Sequence, residues 1–219
     1  MLRVIRWTML GLVVLLGAAW LGISFTGASP AGRALETRVM AILGLSVPGP
    51  GGFGFGDSIG GPFRLTDTAG QNVTDASFRG RWMLVYFGYT SCPDICPTEL
   101  TMIAAVLRDL GPNAAKVAPL FITVDPARDT GKVLAAYVRL FDPRLIGLTG
   151  TPAEISRAAR AYRVFYRKVA LRDENAYLMD HSSFVYLMGP DGRFVDLFGP
   201  GARAADIAAS LRSRAGWKN

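Results

Sequence analysis

The side chains best suited to metal or redox chemistry are two cysteines and one histidine. Cys92 and Cys96 are the only cysteines in the 219 residues, and His181 is the only histidine. Two thiolates and one imidazole form a soft ligand set that selects copper, and Cu(I) in particular. Zinc would need a fourth ligand, which an aspartate or a water molecule could supply. The set therefore favours a copper site made by these three residues, and it weakens zinc without excluding it.

The two cysteines lie in the segment FGYTSCPDICPTEL, residues 87–100, where a predicted buried strand leads through a loop into a helix. Loops at the carboxyl ends of strands are where α/β sheets place their sites. Pro97 suits the first helical turn and disfavours helical geometry at Cys96, which predicts that Cys96 is the N-cap. A thiol there faces the positive end of the helix dipole, which favours the thiolate that binds metal or attacks a disulfide.

The spacing C-x3-C leaves dithiol chemistry open beside metal binding. Thioredoxin-like redox enzymes use C-x2-C. The extra residue widens the loop, so both sulfurs can turn toward one ion while a disulfide can still close. Inert burial is the ordinary alternative for cysteines. A disulfide across so short a loop would stabilise the fold little, because the entropic gain grows with loop length. The pair is better explained as a chemical device.

Two aspartates are candidates for supporting the site. Asp180 precedes His181 in MDHSSFVYLM and could orient the imidazole, while Asp125 in VDPARDT, 124–130, could approach the cysteine loop as a hydrogen-bond acceptor. The alternative for Asp125 and Asp129 is that they anchor turns or cap the helix that begins near residue 130. A single histidine, taken by itself, is more often a structural polar residue. The two soft ligands elsewhere favour the ligand role.

The elements that would position these residues alternate between strands and helices. Residues 81–88 and 117–124 are continuous apolar runs typical of central buried strands, and LIGLT is a further short strand. Helices are predicted over 98–111, 130–141, 152–163 and about 203–214, and hairpins over 61–75 and 183–199. The order ββ-β-α-β-α-β-α-ββ-α predicts an α/β domain with a mixed central sheet and helices on both faces.

The first 25 residues predict a membrane anchor. Arg3 and Arg6 precede Trp7–Phe25, nineteen residues without a charge that would span about 28 Å as a helix. The run is longer than the apolar region of a signal peptide and has no clean cleavage site. The positive-inside rule leaves the N-terminus in the cytoplasm. We therefore expect a single-pass protein of the bacterial inner membrane, with a periplasmic C-terminal domain in which disulfides can form.

Three regions are expected along the chain. Residues 1–25 are the basic segment and the transmembrane anchor. Residues 26–57 are a juxtamembrane segment, with a short helix within 30–47, and a tether rich in glycine and proline. Residues 58–219 are the α/β domain that carries the cysteines and the histidine.

Composition and charge restrict the class of protein. Half of the residues are hydrophobic and 19% are charged, which excludes a disordered or fibrous protein. Two cysteines and one histidine are too few for zinc fingers, iron–sulfur proteins or disulfide-rich scaffolds. The net charge of +7 permits nucleic acid, anionic lipid or an acidic protein as partner. Nucleic acid is not expected outside the membrane.

A run of basic residues begins within the third predicted helix and continues beyond it. Its usual meaning is a solvated helix face, and the alternative is a docking surface for acidic lipid or an acidic partner. The helically spaced members are Arg157, Arg160, Arg163 and Arg167, with Lys168 and Arg172 beyond them.

Three segments together resemble the SCO/SenC family: FGYTSCPDICPTEL, FITVDPARDT and DHSSFVYLMGPDGRFVDLFG, in this order. The similarity extends over roughly residues 58–212, and the anchor and tether match the family's layout. Ser91 stands where many relatives carry a histidine, which removes one extra ligand and leaves the core positions intact. The resemblance implies a thioredoxin-like fold with an inserted hairpin and copper binding by Cys92, Cys96 and His181. It also implies help in assembling the dinuclear copper centre of cytochrome c oxidase.

Two functions compete on this sequence. The first is a metallochaperone that receives copper from an upstream donor and passes it to the copper-site subunit of the oxidase by ligand exchange. The second is a thiol–disulfide reductase that reduces the cysteines of that subunit with Cys92 and Cys96. The two can be stages of one process, because a target thiol must be reduced before it binds copper. A thioredoxin-like peroxidase would use one low-pKa cysteine, so the second cysteine close by and the histidine disfavour it. A purely structural anchor would leave the cysteines unexplained.

Overall fold

The computed structural model describes residues 59–171 and 176–217. The predicted anchor, the juxtamembrane helix and the tether lie outside these ranges, as does Arg172. None of the helices within the described ranges has the length and apolar character needed to cross a membrane.

The described residues form a mixed α/β domain, as predicted. Each predicted strand and helix in these ranges is present, with its ends shifted by up to three residues. The strands are β1 Arg64–Asp67, β2 Asn72–Thr74, β3 Trp82–Gly88, β4 Val117–Thr123, β5 Ile146–Thr149, β6 Tyr166–Ala170, β7 Tyr177–His181, β8 Val185–Met188 and β9 Phe194–Phe198. The α-helices are α1 Ile95–Asp109, α2 Gly131–Arg139, α3 Pro152–Ala161 and α4 Ala204–Ala215, and 3-10 turns cover Asp75–Phe78 and Gly111–Lys116.

Seven strands make one twisted sheet in the order β2-β1-β5-β4-β3-β8-β9. The central strands β3, β4 and β5 run parallel, while β1 and β8 flank them antiparallel. The carboxyl ends of the three parallel strands therefore lie at one edge, where the next loops carry Cys92, Asp125 and the turn before α3. Every residue of β4 and all but the first of β3 are buried, which accounts for their unbroken apolar sequences.

The helices cover the sheet with the faces that the sequence predicts. In α1, Leu100, Ile103 and Leu107 are fully buried. Helix α3 begins with a capping box, in which Thr151 accepts a hydrogen bond from the Glu154 amide and the Glu154 side chain accepts one from the Thr151 amide. The capping box fixes the start of α3 from the local sequence.

A second sheet contains β6 and β7 alone, and the strand-by-strand prediction missed it. The resemblance to the SCO/SenC family had implied an inserted hairpin. In the register of this hairpin Tyr166 pairs with His181, so His181 is the last residue of β7 and lies shortly before β8. Strand β6 is largely exposed and carries Arg167 and Lys168. It therefore lacks the apolar run from which the other strands were predicted.

The basic run is not a single helical face. Helix α3 carries Arg157 and Arg160 and ends at Ala161, and Arg163 has a left-handed backbone with φ of 55°. Arg167 and Lys168 follow in β6. The spacing of the first arginines continues a helical period beyond the point where the helix stops, because the turn at Arg163 carries no glycine or proline to mark it.

Candidate metal centre

Cys92, Cys96 and His181 come together at the carboxyl edge of the sheet. One ligand atom from each lies within 4.8 Å of the other two. Cys96 Sγ lies 3.4 Å from His181 Nε2. Both cysteines are buried as free thiols, and His181 is partly buried. Two segments 85 residues apart thus meet at a group that could hold one soft metal ion.

The start of α1 places both sulfurs. The helix begins at Ile95, so Cys96 lies in its first turn and the prediction that Cys96 is the N-cap is wrong; Asp94 has that position. The Cys96 amide instead donates to Cys92 Sγ at 3.5 Å. Pro97 also lies in the first turn, where a backbone N–H would have no acceptor within the helix, so proline loses no hydrogen bond there. The sulfur that faces the positive helix end is therefore that of Cys92.

A buried carboxylate anchors the loop before the cysteines. Asp129 Oδ1 and Oδ2 accept hydrogen bonds from the Thr90 hydroxyl at 2.6 Å and the Thr90 amide at 3.0 Å. Thr123 at the end of β4 donates its hydroxyl to Asp129 Oδ2 at 2.6 Å. Asp129 is fully buried, so these donors replace its hydration. Asp129 does not cap α2, because Thr130 has that position and accepts from the Val133 amide.

His181 is oriented by its own backbone neighbour. Its Nδ1 lies 3.0 Å from the carbonyl oxygen of Ser182, which can only accept a hydrogen bond. Nδ1 therefore carries the proton, and in the neutral imidazole Nε2 presents its lone pair toward Cys96 Sγ. The rings of Tyr86 and Tyr89 meet the imidazole edge-on, at 6.2 and 5.8 Å between centroids. The tautomer with its proton on Nδ1 is the one that can bind a metal through Nε2.

The pKa values of the two thiols are shifted in opposite directions. The Cys96 thiol donates a hydrogen bond to the Cys92 sulfur, and this bond, together with the amides of Asp94 and Cys96, lowers the pKa of Cys92. The same bond and the burial of Cys96 raise the pKa of Cys96. In the metal-free pair Cys92 is the thiolate and Cys96 is its donor. Tyr86 adds a hydroxyl that donates to Cys96 Sγ at 3.7 Å.

The two aspartates expected to support the site make other contacts. Asp180 forms an exposed ion pair with Arg167 at 2.8 Å, while the Nδ1 hydrogen bond of His181 goes to Ser182. Asp125 is buried and accepts from the Tyr177 hydroxyl at 3.0 Å and from the Arg128 guanidinium. The roles proposed from the sequence for Asp125 and Asp180 therefore stay predictions.

Sequence reasoning missed several residues that shape the site. Gly88 leaves space for the Cys96 sulfur, since a Cβ at residue 88 would lie 2.8 Å from Cys96 Sγ. Thr90 and Tyr86 supply hydrogen bonds but are ordinary residue types in this position. The glycine that ends an otherwise apolar strand was the one visible signal, because a glycine there often marks a close approach.

Comparisons with known proteins agree with this arrangement. A family model described as SCO1/SenC matches residues 53–216. The protein SCO1 homolog, mitochondrial, of Homo sapiens is 45% identical over 155 residues, which are 70% of this chain and 52% of that protein. The chain thus spans about half the length of that relative.

Two solved structures share the architecture. Bradyrhizobium japonicum ScoI with copper bound is 49% identical, with a TM-score of 0.67 over 71% of this chain and 98% of that one. BsSco, described with a disulfide switch and as a member of the Sco family of cytochrome c oxidase assembly proteins, is 25% identical, with a TM-score of 0.58 over 74% of this chain and 96% of that one. The mixed central sheet described above matches these thioredoxin-like structures, and the chain belongs to the SCO1/SenC family.

Proposed function

We propose that this protein is a membrane-anchored copper metallochaperone that assists assembly of the dinuclear copper centre of cytochrome c oxidase. The observation that carries the proposal is the convergence of Cys92, Cys96 and His181, whose ligand atoms lie within 4.8 Å of one another. Support comes from ScoI, which was solved with copper bound, and from BsSco, which is named a member of a family of oxidase assembly proteins.

Copper is the cargo of this proposal. The Cys92 and Cys96 sulfurs and the Nε2 lone pair of His181 would hold it, and this soft set favours Cu(I) over Cu(II). The ligands come from two separate segments, a loop braced by Asp129 and a hairpin that forms its own sheet. The incoming cysteines of the oxidase subunit would replace these ligands one at a time, so that the ion is never released to solvent.

The partners and the location follow from the same proposal. Copper arrives from an upstream donor and leaves to the copper-site subunit of the oxidase. The helix predicted over Trp7–Phe25 holds the protein in the bacterial inner membrane with its cytoplasmic N-terminus and periplasmic domain. Protease added to spheroplasts should digest the domain, whereas a shortened protein free in the periplasmic fraction would contradict the anchor.

The alternative function is a thiol–disulfide reductase that acts on the cysteines of the same oxidase subunit. The opposite pKa shifts favour it, because the Cys92 thiolate can attack a target disulfide and form a mixed disulfide. Cys96 would then lose its proton, attack Cys92 and release the reduced target, leaving a Cys92–Cys96 disulfide. The disulfide switch described for BsSco supports this chemistry in a relative.

His181 separates the two functions. His181→Ala removes the imidazole but keeps both sulfurs, so it should lose copper affinity by more than the roughly 10–100-fold typical of residues behind the ligands. It should still cycle between dithiol and disulfide. Cys92→Ser and Cys96→Ser should each lose both activities. Oxidase assembly under limiting copper in a strain with His181→Ala then decides: failure supports copper delivery, and normal assembly supports the reductase.

A further inference from the structure

Arg128 lies at the centre of a polar cluster that joins the loop after β4 to the start of β7. Its Nε donates to the buried carboxylate of Asp125, and its Nη1 donates to the carbonyl oxygen of Tyr177 at 3.1 Å. The guanidinium carbon lies 3.7 Å from the ring centroid of Tyr177 and 5.7 Å from that of Tyr89. One side chain thus contacts the main sheet's loop, the hairpin and the segment that leads to Cys92.

Asp125 completes the cluster. Its Oδ1 accepts from the Tyr177 hydroxyl at 3.0 Å, and its amide donates to the Thr123 hydroxyl at 2.9 Å. Asp125 is only 4% exposed, so its charge depends on these partners in place of water. The carboxylate fixes Arg128 and Tyr177 together, and Thr123 connects it to the end of β4.

The cluster reaches His181 along one strand. Tyr177, Met179 and His181 alternate along β7 and therefore point to the same side of the hairpin. Met179 is buried between them, whereas Asp180 on the other side is exposed. Tyr89, which contacts Arg128, also meets the His181 ring edge-on with 5.8 Å between centroids. The position of His181 therefore depends on both the strand and the ring that Arg128 holds.

We propose that Arg128 is a positioning residue, which with Asp125 fixes the β6–β7 hairpin so that His181 stands over Cys92 and Cys96. This inference rests on the proposed copper function, and it assigns Asp125 an action through Tyr177 and the hairpin. A two-stranded hairpin is marginally stable by itself, and β6 and β7 form a sheet of their own. A fixed contact at the Tyr177 end is what sets the direction of the strand that ends in His181.

The test compares two arginines with similar surroundings in the full-length protein, purified in detergent. Arg128 and Arg144 each pair with a buried aspartate and also donate to a backbone carbonyl, that of Tyr177 or Leu107. Their side chains are 31% and 41% exposed. Arg144 precedes β5, at the edge of the sheet opposite to the cysteines. Arg144→Gln therefore repeats the loss of a buried pair without touching the hairpin.

Arg128→Gln should weaken Cu(I) binding by about 10–100-fold, as is typical for residues that orient a ligand, and should lower the nitrogen contribution in X-ray absorption. It should still cycle between dithiol and disulfide, because it keeps both sulfurs. Arg144→Gln should keep parental copper affinity. Equal copper affinity in Arg128→Gln and the parent, or equal losses in the two arginine variants, would overturn the inference.

A double-mutant cycle with His181→Ala separates this inference from the proposed function. If Arg128 acts through His181, Arg128→Gln should cause no further loss of copper affinity in the His181→Ala background. Full additivity of the two losses would refute the positioning role. If His181→Ala alone left copper affinity unchanged, the three-ligand site itself would be wrong, whatever Arg128 does.

Arg128→Lys serves as a second variant if Arg128→Gln does not fold. Lysine keeps the positive charge beside Asp125 but cannot reach Asp125 and the Tyr177 carbonyl in the geometry of the guanidinium fork. We expect a loss of copper affinity in the same direction. Full parental affinity with lysine would show that charge near Asp125 is sufficient, and the inferred bridge to the hairpin would fail.

Discussion

Gly88 ends β3 at a point where the absent side chain makes room for the Cys96 sulfur. A Cβ at this position would lie 2.8 Å from Cys96 Sγ, 2.8 Å from Phe121 Cε2 and 3.1 Å from Tyr86 Cε1. All three neighbours are fully buried, so none can move out into solvent. Gly88→Ala must therefore displace the sulfur, the two rings or the strand itself.

The size of the effect follows from these distances. Overpacking a core typically costs about 1–3 kcal/mol, and each kcal/mol lowers Tm by about 2–4 °C in a chain of roughly 150–250 residues. We expect thermal unfolding, followed by circular dichroism, to shift down by about 2–12 °C. Contacts between such atoms are favourable near about 3.5–4 Å, so a sulfur that took up the overlap would move by more than the roughly 0.2 Å within which metal–ligand distances fall. Copper affinity should fall as well.

Gly131→Ala is the matched control. The nearest atom to a Cβ at residue 131 is the Thr68 carbonyl oxygen at 3.6 Å, an ordinary contact. Gly131 opens α2, where alanine reduces the entropy of the unfolded chain, so Tm should stay or rise. If Gly88→Ala melted with the parent and held copper as tightly, the packing argument would be refuted. A lower Tm with parental copper affinity would show that the rings move and the sulfur does not.

Two further predictions concern the metal-free site. Because its pKa is lowered, Cys92 should remain a thiolate and be alkylated by iodoacetamide at about pH 6, well below the ordinary thiol pKa of about 8.5. Cys96, whose pKa is raised, should react slowly. Peptide mass spectrometry measures the labelling of both cysteines, and equal labelling would contradict the assignment. Asp129→Asn should lower the free energy of unfolding in urea by about 1–3 kcal/mol, since its amide cannot accept from both Thr90 groups and Thr123; an unchanged unfolding curve would exclude the proposed anchor.

Much of the fold was predictable because local patterns and tertiary burial agree. Strands β3 and β4 are covered on both sides, so their sequences are apolar without interruption. The turn at Gly70, with φ of 82°, and the turn at Gly192, with φ of 75°, use glycine where a left-handed backbone requires it. The β6–β7 hairpin escaped prediction because its strands bury few residues, and the charges on β6 extend a helical spacing of arginines.

The convergence of the three candidate ligands was predictable, and the contacts that support them were not. Two cysteines and one histidine leave few choices of soft ligand, and the three residues that composition and spacing indicate do come together. The supporting hydrogen bonds join Thr90 to Asp129, 39 positions apart, and Arg128 to Tyr177, 49 positions apart. No periodic pattern connects such polar residues, because their partners are chosen by how the strand ends meet.

The division of the ligands between two supports has a chemical consequence. Cys92 and Cys96 lie on a loop and helix that follow β3 and are anchored by Asp129, so both sulfurs come from the main sheet's side of the site. His181 belongs to a separate two-stranded sheet held at its other end by Arg128 and Asp125. Movement of the hairpin would therefore remove the imidazole while leaving an intact dithiol. Under the proposed function, one architecture would keep copper with the hairpin in place and exchange disulfides with it withdrawn, because the two chemistries share the sulfurs and differ only in the histidine.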